Sequence, residues 1–384
     1  MRFSLDAHAI GRNLTGNEVY ARNLLHGFAA LDRESEFIAY VSVAEAARWI
    51  PERFLTRRVS PNPFCRLGFD LSRKLRRDRP ALVHVQYTAP AACPVPVVVS
   101  VHDVSFLEHP EFFSAGRAAQ LRWTVRRTVK RAARVLTGSD FSRASILRMY
   151  PDLDPERVEV VPNAASPAFR PISRETAAAT VKERFGVAAP FVLTVGDLQP
   201  RKNHAGLIAA FARMVRAYPR LPHHLVLAGK DTWHAPRVRE AARQSGIASR
   251  IRFTGFVSDD DLLHLYNACD VFVFPSYYEG FGLPVLEAMA CQRAVACSGT
   301  SALPEVADGA ALLFDPYAPD DVAKALADLL RDSELRARME RLGGSRAAQF
   351  SWNKTAGRTL GIYYEVAQGV LAGKCAGTAH IARS

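Results

Sequence analysis

Short apolar runs alternate with amphipathic helical patterns along most of this chain. In the first half, the apolar runs that predict strands lie at 2–7, 37–43, 81–87, 95–101 and 134–137. In the second half, the corresponding runs lie at 191–195, 224–228, 251–254, 271–274 and 293–297. Near-continuous Val, Leu and Ile runs separated by helices are typical of a parallel sheet covered on both faces. We therefore predict an α/β fold with two Rossmann-like, doubly wound parallel sheets.

The length and a proline-rich segment predict two domains. A chain of 384 residues is too long for one ordinary domain. The segment at 160–172 follows a strand and is rich in proline, which is typical of a hinge between domains. We predict a first domain at 1–168 and a second at 173–350. A last helix is predicted near 352–367, and the small-residue tail at 369–384 is predicted to be disordered.

The charge of the chain is strongly basic, with a formal net charge of +12. Basic residues cluster at 73–79 and at 122–134. A solvated arginine-rich face explains either cluster, and the alternative is attraction to an anionic membrane leaflet or to a phosphate-bearing lipid acceptor. No nucleic-acid-binding motif accompanies the charge, so we expect no nucleic acid partner.

Cysteine usage and the absence of long apolar runs bear on the compartment. The six cysteines are scattered without a C-x-x-C pair, which argues for reduced thiols and against structural zinc. Asp6 stands where a signal peptide would need its apolar core, and no run reaches the roughly 18 apolar residues of a membrane span. We expect a cytoplasmic protein, with peripheral contact at the inner face of the cell membrane as one interpretation of the charge.

The strongest chemical signal is V-F-V-F-P-S-Y-Y-E-G-F-G-L-P-V-L-E-A-M-A-C at 271–291. The pattern predicts a strand, a glycine-rich loop and a helix, and such a helix start leaves backbone N–H groups available to an anion. Glu279 in the loop and Glu287 in the helix would repel a phosphate, but they suit the diols on either side of a bound diphosphate. The simpler interpretation is a loop acid and an exposed helix glutamate.

A second signal is the loop G-D-L-Q-P-R-K-N at 196–203, which follows a predicted strand and leads into a helix. Arg201 and Lys202 lie at the carboxyl end of that strand, where doubly wound folds bind their ligands. Because positive charge at a helix start opposes the helix dipole unless an anion is bound, the loop indicates a diphosphate site. Lys202 is the first candidate and Arg201 the second.

Together these two motifs resemble those of retaining glycosyltransferases of family 4, the glycosyl transferases group 1, many of them mannosyltransferases. The resemblance implies a GT-B fold, in which two Rossmann-like domains face an interdomain cleft, and a helix at 351–368 that crosses back to the first domain. It implies that Glu279 holds sugar hydroxyls and Glu287 the ribose diol. It also assigns the leaving diphosphate to Lys202, Arg201 and the backbone N–H groups around Gly282 and Leu283, and it adds Gly196, Gly280 and Phe281 to the residues that bind the donor.

The resemblance adds three further places to the predicted site. His102, in V-H-D, would lie beside the transferred sugar, with Asp103 orienting its ring, although a histidine at a strand end is more often structural. Gly16 and Asn17 would approach the donor, although a turn and helix cap explain them equally. Val257 would line the pocket for the base. The acids at 259–261 are predicted to cap a helix together with Ser258 and not to bind a metal. His84 is predicted to be a structural histidine of the sheet.

The resemblance therefore implies transfer of a hexose from a nucleoside-diphosphate sugar to a glycan or lipid-linked acceptor, without a metal or other cofactor. The segment H-D-V-S-F-L-E-H-P-E-F-F is similar to one in family members that assemble surface polysaccharides, which favours mannose from GDP-mannose over UDP-sugars. Two alternatives stay open at this stage. One is a nucleotide-sugar hydrolase or epimerase of the same fold, and the other is a non-catalytic sugar-nucleotide-binding module.

Overall fold

The computed structural model describes residues 1–12 and 15–381, and its internal contacts divide the chain into two units. The first unit comprises Met1–Asn163 together with the chain from Ser351 onward, and the second comprises Ala164–Phe350. These limits lie close to the predicted domain ends at 168 and 350. None of the helices between residues 15 and 381 combines the length and the apolar character that crossing a bilayer requires.

The first unit is built on a parallel sheet of seven strands in the described residues, in the order β3-β2-β1-β4-β5-β6-β7. The strands are β1 (Arg2–Asp6), β2 (Glu36–Val41), β3 (Leu55–Arg58), β4 (Leu82–Gln86), β5 (Val97–Ser100), β6 (Arg134–Thr137) and β7 (Val158–Val160). The helices between them are α1 (Thr15–Leu31), α2 (Pro63–Cys65), α3 (Leu71–Asp78), α4 (Ser105–Glu108), α5 (Ala115–Arg131) and α6 (Asp140–Met149). All five predicted strands begin and end within two residues of an observed strand, and 134–137 matches β6 at both ends.

The second unit has a parallel sheet of six strands, in the order β10-β9-β8-β11-β12-β13. The strands are β8 (Phe191–Val195), β9 (His224–Ala228), β10 (Ile251–Gly255), β11 (Val271–Phe274), β12 (Ala294–Ser298) and β13 (Leu312–Phe314). The helices are α7 (Arg174–Phe185), α8 (His204–Ala217), α9 (Ala235–Gln244), α10 (Asp259–Ala268), α11 (Leu283–Ala290), α12 (Leu303–Ala307), α13 (Pro319–Arg331) and α14 (Ser333–Ala347). Both units therefore have the predicted doubly wound α/β architecture.

Buried strand residues explain why each sheet is covered on both faces. In the second unit, alternate residues of β8 and β11 belong to separate hydrophobic clusters: Leu193 and Phe272 pack on one side, and Val192 and Val271 on the other. Successive side chains of a strand point to opposite faces, so strands that are apolar throughout need helices above and below. The apolar runs in the sequence thus translate directly into this layered packing.

The chain returns to the first unit through α15 (Trp352–Ile381), which packs against α1. Its Tyr363 hydroxyl lies 2.6 Å from Nδ1 of His84 on β4, and its Tyr364 hydroxyl lies 2.8 Å from the Ser35 hydroxyl. The helix is described to Ile381, and the disorder predicted for 369–384 stays a prediction. Residues 382–384 lie outside the described residues.

The sequence patterns missed short or polar elements. Strand β3 reads L-T-R-R and is partly exposed at the sheet edge, so it has no apolar run. Strand β13 has three residues and also lies at an edge. The predicted cap of α10 is confirmed, because Ser258 and Asp261 form a reciprocal capping box.

Candidate functional site

A tight turn after β8 fixes the two predicted cations. Gly196 has a φ of 154°, and a Cβ added there would lie 3.3 Å from the Lys202 methylenes, so the lysine chain packs across the glycine. A 3₁₀ turn, Pro200–Lys202, follows, and Asn203 with a φ of 52° caps α8 by accepting a hydrogen bond from the Gly206 amide. The turn therefore delivers both cations at the carboxyl end of β8.

Glu279 joins these cations in one cluster. Lys202 Nζ lies 2.7 Å from Oε1 of Glu279, and Arg201 Nη1 lies 2.8 Å from Oε2. Arg201 also donates to the Tyr278 carbonyl at 3.1 Å, and the Tyr277 amide donates to the Arg201 carbonyl at 2.8 Å. Each carboxylate oxygen thus faces one cation, and the three side chains together carry a formal charge of +1.

Burial sets the electrostatics of this cluster. Burial by itself would raise the pKa of Glu279, but the charges of Arg201 and Lys202 outweigh it and lower the pKa to about 2. Burial also lowers the pKa of Lys202, while the charge of Glu279 opposes that change. The Lys202 ammonium additionally lies 4.6 Å from the centre of the Phe274 ring. Glu279 is therefore fully ionised at neutral pH, and its ion pairs offset much of the cost of burying Lys202.

The glycine-rich loop places the start of α11 beside this cluster. The Ser301 hydroxyl accepts from the Glu279 amide at 2.9 Å. Gly282 has a φ of +105°, and a Cβ there would lie 2.5 Å from Leu303 Cδ2, so only glycine fits without strain. Phe281 is buried with its ring 5.9 Å from that of Phe350. The loop from Gly280 to Leu283 is therefore held rigidly at the N-terminus of α11.

Glu287 is buried in α11, so the simpler interpretation of an exposed helix glutamate is wrong. Its side chain accepts a hydrogen bond of 2.8 Å from the Tyr266 hydroxyl, and the residue is 6% exposed. Burial raises the pKa of Glu287 to about 7, although the hydrogen bond from Tyr266 acts in the opposite direction. The two acids predicted to bind diols therefore differ: Glu279 is ionised at neutral pH, and Glu287 is partly protonated.

The strand order explains why these residues meet. Strand β8 pairs with β9 on one side and with β11 on the other, so the order of the sheet reverses between β8 and β11. The crevice at such a reversal is where doubly wound sheets bind ligands. Lys202 follows β8 and Glu279 follows β11, so both flank this point. Val257 lies after β10, with its side chain in the hydrophobic core of the unit.

The first unit brings together His102 and Asn17. His102 follows β5, and its Nε2 lies 3.0 Å from Oε1 of Gln86, whose amide nitrogen donates to the Asn17 carbonyl at 3.1 Å. Burial lowers the pKa of His102 to about 4, so the ring is neutral at neutral pH. With Nε2–H donating to Gln86, Nδ1 is the ring nitrogen that can accept a hydrogen bond. Gly16 lies next to Asn17 in the first turn of α1, with open space where a Cβ would stand.

Asp103 does not orient the His102 ring as predicted. Its Oδ1 accepts hydrogen bonds from the amide of Ser105 at 2.9 Å and from the Ser105 hydroxyl at 2.6 Å. Gln86, at the end of β4, holds the ring instead. This residue was missed because a lone glutamine carries no motif. Its position at the end of a strand adjacent to β5 is the signal that could have found it.

Two family models match the chain. The model of glycosyltransferase family 4 matches residues 14–169, and that of glycosyl transferases group 1 matches residues 178–345. O-antigen chain mannosyltransferase B of Escherichia coli is 32% identical over 266 residues, which cover 69% of this chain and 69% of that protein. The chain belongs to glycosyltransferase family 4. It is therefore a glycosyltransferase, and neither the hydrolase or epimerase nor the non-catalytic binding module is favoured.

Further comparisons agree with this family 4 membership. The serotype-specific mannosyltransferase WbdA of Escherichia coli is 34% identical over 214 residues, which cover 54% of this chain and 26% of that protein. The chain thus spans about a quarter of that relative. The structure of sucrose-phosphate synthase from Thermosynechococcus elongatus superposes with a TM-score of 0.78 at 19% identity, covering 95% of this chain and 99% of that one. This likeness shows the predicted GT-B fold.

Proposed function

We propose that this family 4 glycosyltransferase transfers mannose from GDP-mannose to a glycan or lipid-linked acceptor in surface polysaccharide assembly. The 32% sequence identity to an O-antigen chain mannosyltransferase, over 69% of both chains, supports this choice of sugar and pathway. The cluster of Lys202, Arg201 and Glu279 at the reversal of the second sheet carries the chemical part of the proposal. We place the reaction in the cytoplasm, with the acceptor supplied at the inner face of the membrane.

The cations of the cluster stabilise the leaving diphosphate. As the bond to the anomeric carbon breaks, negative charge accumulates on the diphosphate oxygen. Lys202 and Arg201 are already held at the end of β8, so they need little reorganisation to face that charge. The first backbone N–H groups of α11, near Gly282 and Leu283, lack intrahelical acceptors and add a second set of fixed donors. In this proposal the reaction needs no metal ion or other cofactor.

The two acids bind the sugars on either side of the diphosphate. Glu279 accepts hydrogen bonds from hydroxyls of the transferred hexose, and its carboxylate is kept ionised by the two cations. Glu287 accepts from the ribose diol, whose hydroxyls join the Tyr266 hydroxyl as donors to the carboxylate. Hydrogen bonds from several hydroxyl groups favour the ionised form of a carboxylate. Binding of the nucleotide sugar should therefore lower the pKa of Glu287.

The proposed transfer retains the anomeric configuration. The acceptor oxygen attacks the anomeric carbon on the face from which the diphosphate departs, and the acceptor proton passes to the departing phosphate oxygen. In the first unit, neutral His102 accepts a hydrogen bond from a sugar hydroxyl through Nδ1, while Gln86 holds the ring through Nε2. In this proposal, the backbone of Gly16 and Asn17 lines the site next to His102.

Thermal shift with a panel of nucleotide sugars tests the donor assignment. A ligand present at about one hundred times its Kd stabilises a protein by roughly 2.7 kcal/mol. We expect GDP-mannose and GDP to raise the Tm of the full chain more than UDP-glucose and UDP do. A larger shift with the uridine nucleotides would contradict the GDP-mannose assignment while leaving the transferase class intact.

Product analysis tests the reaction itself. The full chain is incubated with GDP-mannose and octyl α-mannoside as a simple acceptor, and the product is examined by proton NMR. We expect a new α-mannosidic linkage, which retains the α configuration of the donor. A β-linkage would contradict retention, and free mannose formed equally well without acceptor would favour hydrolysis.

A further inference from the structure

Helix α5 of the first unit carries a continuous basic face. Its inward side packs through Ala118, Val125, Thr128 and Val129. Its outward side presents two rows spaced by four residues, which together form the α5 basic face: Arg122, Trp123, Arg126, Arg127, Lys130 and Arg131. No acidic residue occurs in the helix. Like charges three and four residues apart destabilise a helix, so this face has an electrostatic cost that a neutralising partner would remove.

Most of these charges are unpaired within the described residues. Arg127 donates to the Ala91 carbonyl, and Lys130 lies 3.3 Å from Asp152, an exposed pair that salt readily screens. Arg122, Arg126 and Arg131 have neither an ion pair nor a hydrogen bond to the described part of the chain. The face is thus a local excess of positive charge with little internal compensation.

A large aromatic side chain lies within this charge. Trp123 is 67% exposed, and the Arg127 guanidinium lies 5.9 Å from the centre of its ring. Exposed tryptophan surrounded by arginine is typical of surfaces that lie at the boundary between water and a bilayer, where the ring enters the headgroup region and the cations meet lipid phosphates.

A cavity of about 260 Å³ adjoins the face and combines both characters. Arg122, Arg126 and Lys130 line it together with Asp152 and with the apolar side chains of Leu107, Val129, Met149 and Leu153. Tyr150 also lines it, and its buried hydroxyl has no hydrogen-bond partner among the described residues. An unsatisfied buried hydroxyl is costly, and an entering acceptor oxygen would satisfy it.

We propose that the α5 basic face docks this protein onto an anionic lipid bilayer, with a lipid phosphate entering the cavity beside Tyr150. The cavity is lined by three cations, Arg122, Arg126 and Lys130, and by one carboxylate, Asp152, so it favours a phosphate. The apolar wall of the cavity suits the glycerol and upper acyl carbons attached to that phosphate. A soluble polyanion has the charge but offers nothing to the apolar wall or to Trp123. Docking of this kind goes beyond sugar transfer and does not depend on the identity of donor or acceptor.

Vesicle co-sedimentation of the full chain, without donor or acceptor, tests the proposal. We expect binding to phosphatidylcholine vesicles containing about 30% phosphatidylglycerol, little binding to pure phosphatidylcholine, and weaker binding as salt rises. Each basic residue near such a surface contributes about a fivefold factor, so Arg122→Glu with Arg126→Glu should weaken binding by at least about thirtyfold. Trp123→Ala should weaken binding several-fold, and it should do so at low and high salt alike.

A matched pair of substitutions controls for net charge. Arg338 and Arg341 are exposed on α14 of the second unit, and changing both to Glu alters the net charge by the same amount. This control should bind vesicles like the unmodified chain, and Tm values should show that all variants fold. Equal loss in the control would overturn the α5 basic face as the docking surface, as would unchanged binding of the Arg122/Arg126 double variant.

Two further measurements separate the lipid from other occupants. Tyr150→Phe should leave Tm unchanged and weaken binding to the anionic vesicles about fivefold, the value of one hydrogen bond. Unchanged binding of this variant would remove the lipid phosphate from the cavity. Retention on heparin through the α5 basic face without any vesicle binding would show a soluble-polyanion site and overturn the proposal.

Discussion

The side chains of Lys202, Arg201 and Glu279 form ion pairs that a bound nucleotide-sugar donor must rearrange. Glu279 pairs with both cations, with contacts of 2.7 Å to Lys202 and 2.8 Å to Arg201. A diphosphate competes with this carboxylate for the same cations, since Lys202 and Arg201 cannot pair fully with Glu279 and with a diphosphate at the same time. The excess charge of +1 therefore favours binding of the anion, while the ion pairs with Glu279 offset the cost of burying the two cations.

Replacement of Lys202 by alanine should lower kcat/KM for mannosyl transfer by about 10²–10³, the usual cost of removing one fixed donor from a transition-state charge. Arg201 remains to pair with Glu279, so the fold should survive. Lys324→Ala on α13, where the lysine is 77% exposed and paired with Asp328, is the matched control and should leave kcat/KM unchanged. Near-normal turnover in the Lys202 variant, with an unchanged Tm, would remove this residue from the leaving-group site.

Replacement of Glu279 by glutamine should separate binding from transfer. The substitution raises the charge of the cluster from +1 to +2, so GDP should bind several-fold more tightly, as measured by isothermal titration calorimetry. Mannosyl transfer should nevertheless fall, because the proposed carboxylate contact to the hexose hydroxyls is lost. If GDP affinity stays the same, Glu279 does not compete with the diphosphate for the cations.

Glu287 should make stability fall as pH rises, in the opposite sense to Glu279. Its folded pKa is raised to about 7 from 4.5, so its contribution is fully present below pH 4.5 and is lost as pH rises through about 7. The difference corresponds to about 3 kcal/mol. Denaturant unfolding at pH 5 and pH 8 should show this loss in the unmodified chain and a smaller one in Glu287→Gln. Equal pH dependence in the two proteins would contradict the raised pKa.

Among the elements, the segment from β11 to α11 was well predicted from sequence. The predicted strand at 271–274 matches β11 at both ends, and the predicted loop and helix follow it, because a wholly apolar run and a Gly-Leu-Pro helix start are local signals. The ion pairs were not predictable in this way. Glu279 and Lys202 are 77 residues apart, and their contact follows from the pairing of β8 with β11. The Tyr266–Glu287 hydrogen bond is another contact between separate helices, α10 and α11.

The loop between these elements should tolerate no side chain at Gly282. Alanine there would have to hold a φ of +105° and would place its Cβ 2.5 Å from Leu303 Cδ2. We expect Gly282→Ala to lower the free energy of unfolding by about 1–3 kcal/mol and to impair transfer by displacing the start of α11. Chemical denaturation measures the first effect.

Gly361 provides the control for this substitution. It lies in α15 with no atom near its absent Cβ, so Gly361→Ala should be neutral or stabilise the helix by up to about 1 kcal/mol. Leu303 is fully buried, so Leu303→Ala is costly by itself; in a double-mutant cycle, Gly282→Ala should cost less in the Leu303→Ala background, where the close contact is gone, and the remaining cost should come from φ. A fully stable Gly282→Ala protein would show that the loop can rearrange and that its geometry is not needed.

At the scale of the whole molecule, each unit places candidate site residues at the reversal of its own sheet. In the first unit the order reverses between β1 and β4; the predicted Asn17 comes after β1, and Gln86, which the sequence patterns missed, is the last residue of β4. In the second unit it reverses between β8 and β11, and Lys202 and Glu279 lie in the loops that follow those two strands. The sequence indicated the carboxyl ends of the strands as ligand sites. The strand order, which depends on pairing between distant segments, decides which of those ends lie side by side.

The fixed cations of the second unit lead to an expectation for the enzyme as a whole: mannosyl transfer should not depend on a divalent metal ion. Lys202, Arg201 and the amides at the start of α11 together supply positive charge where a bound metal would act on the leaving diphosphate. Transfer rates of the full chain should therefore be equal in excess EDTA and in Mg²⁺ or Mn²⁺. Loss of activity in EDTA with recovery on adding Mg²⁺ would contradict this. Mg²⁺ should also fail to rescue Lys202→Ala, since Glu279 offers a single carboxylate there and no group of three metal-ligating side chains occurs among the described residues.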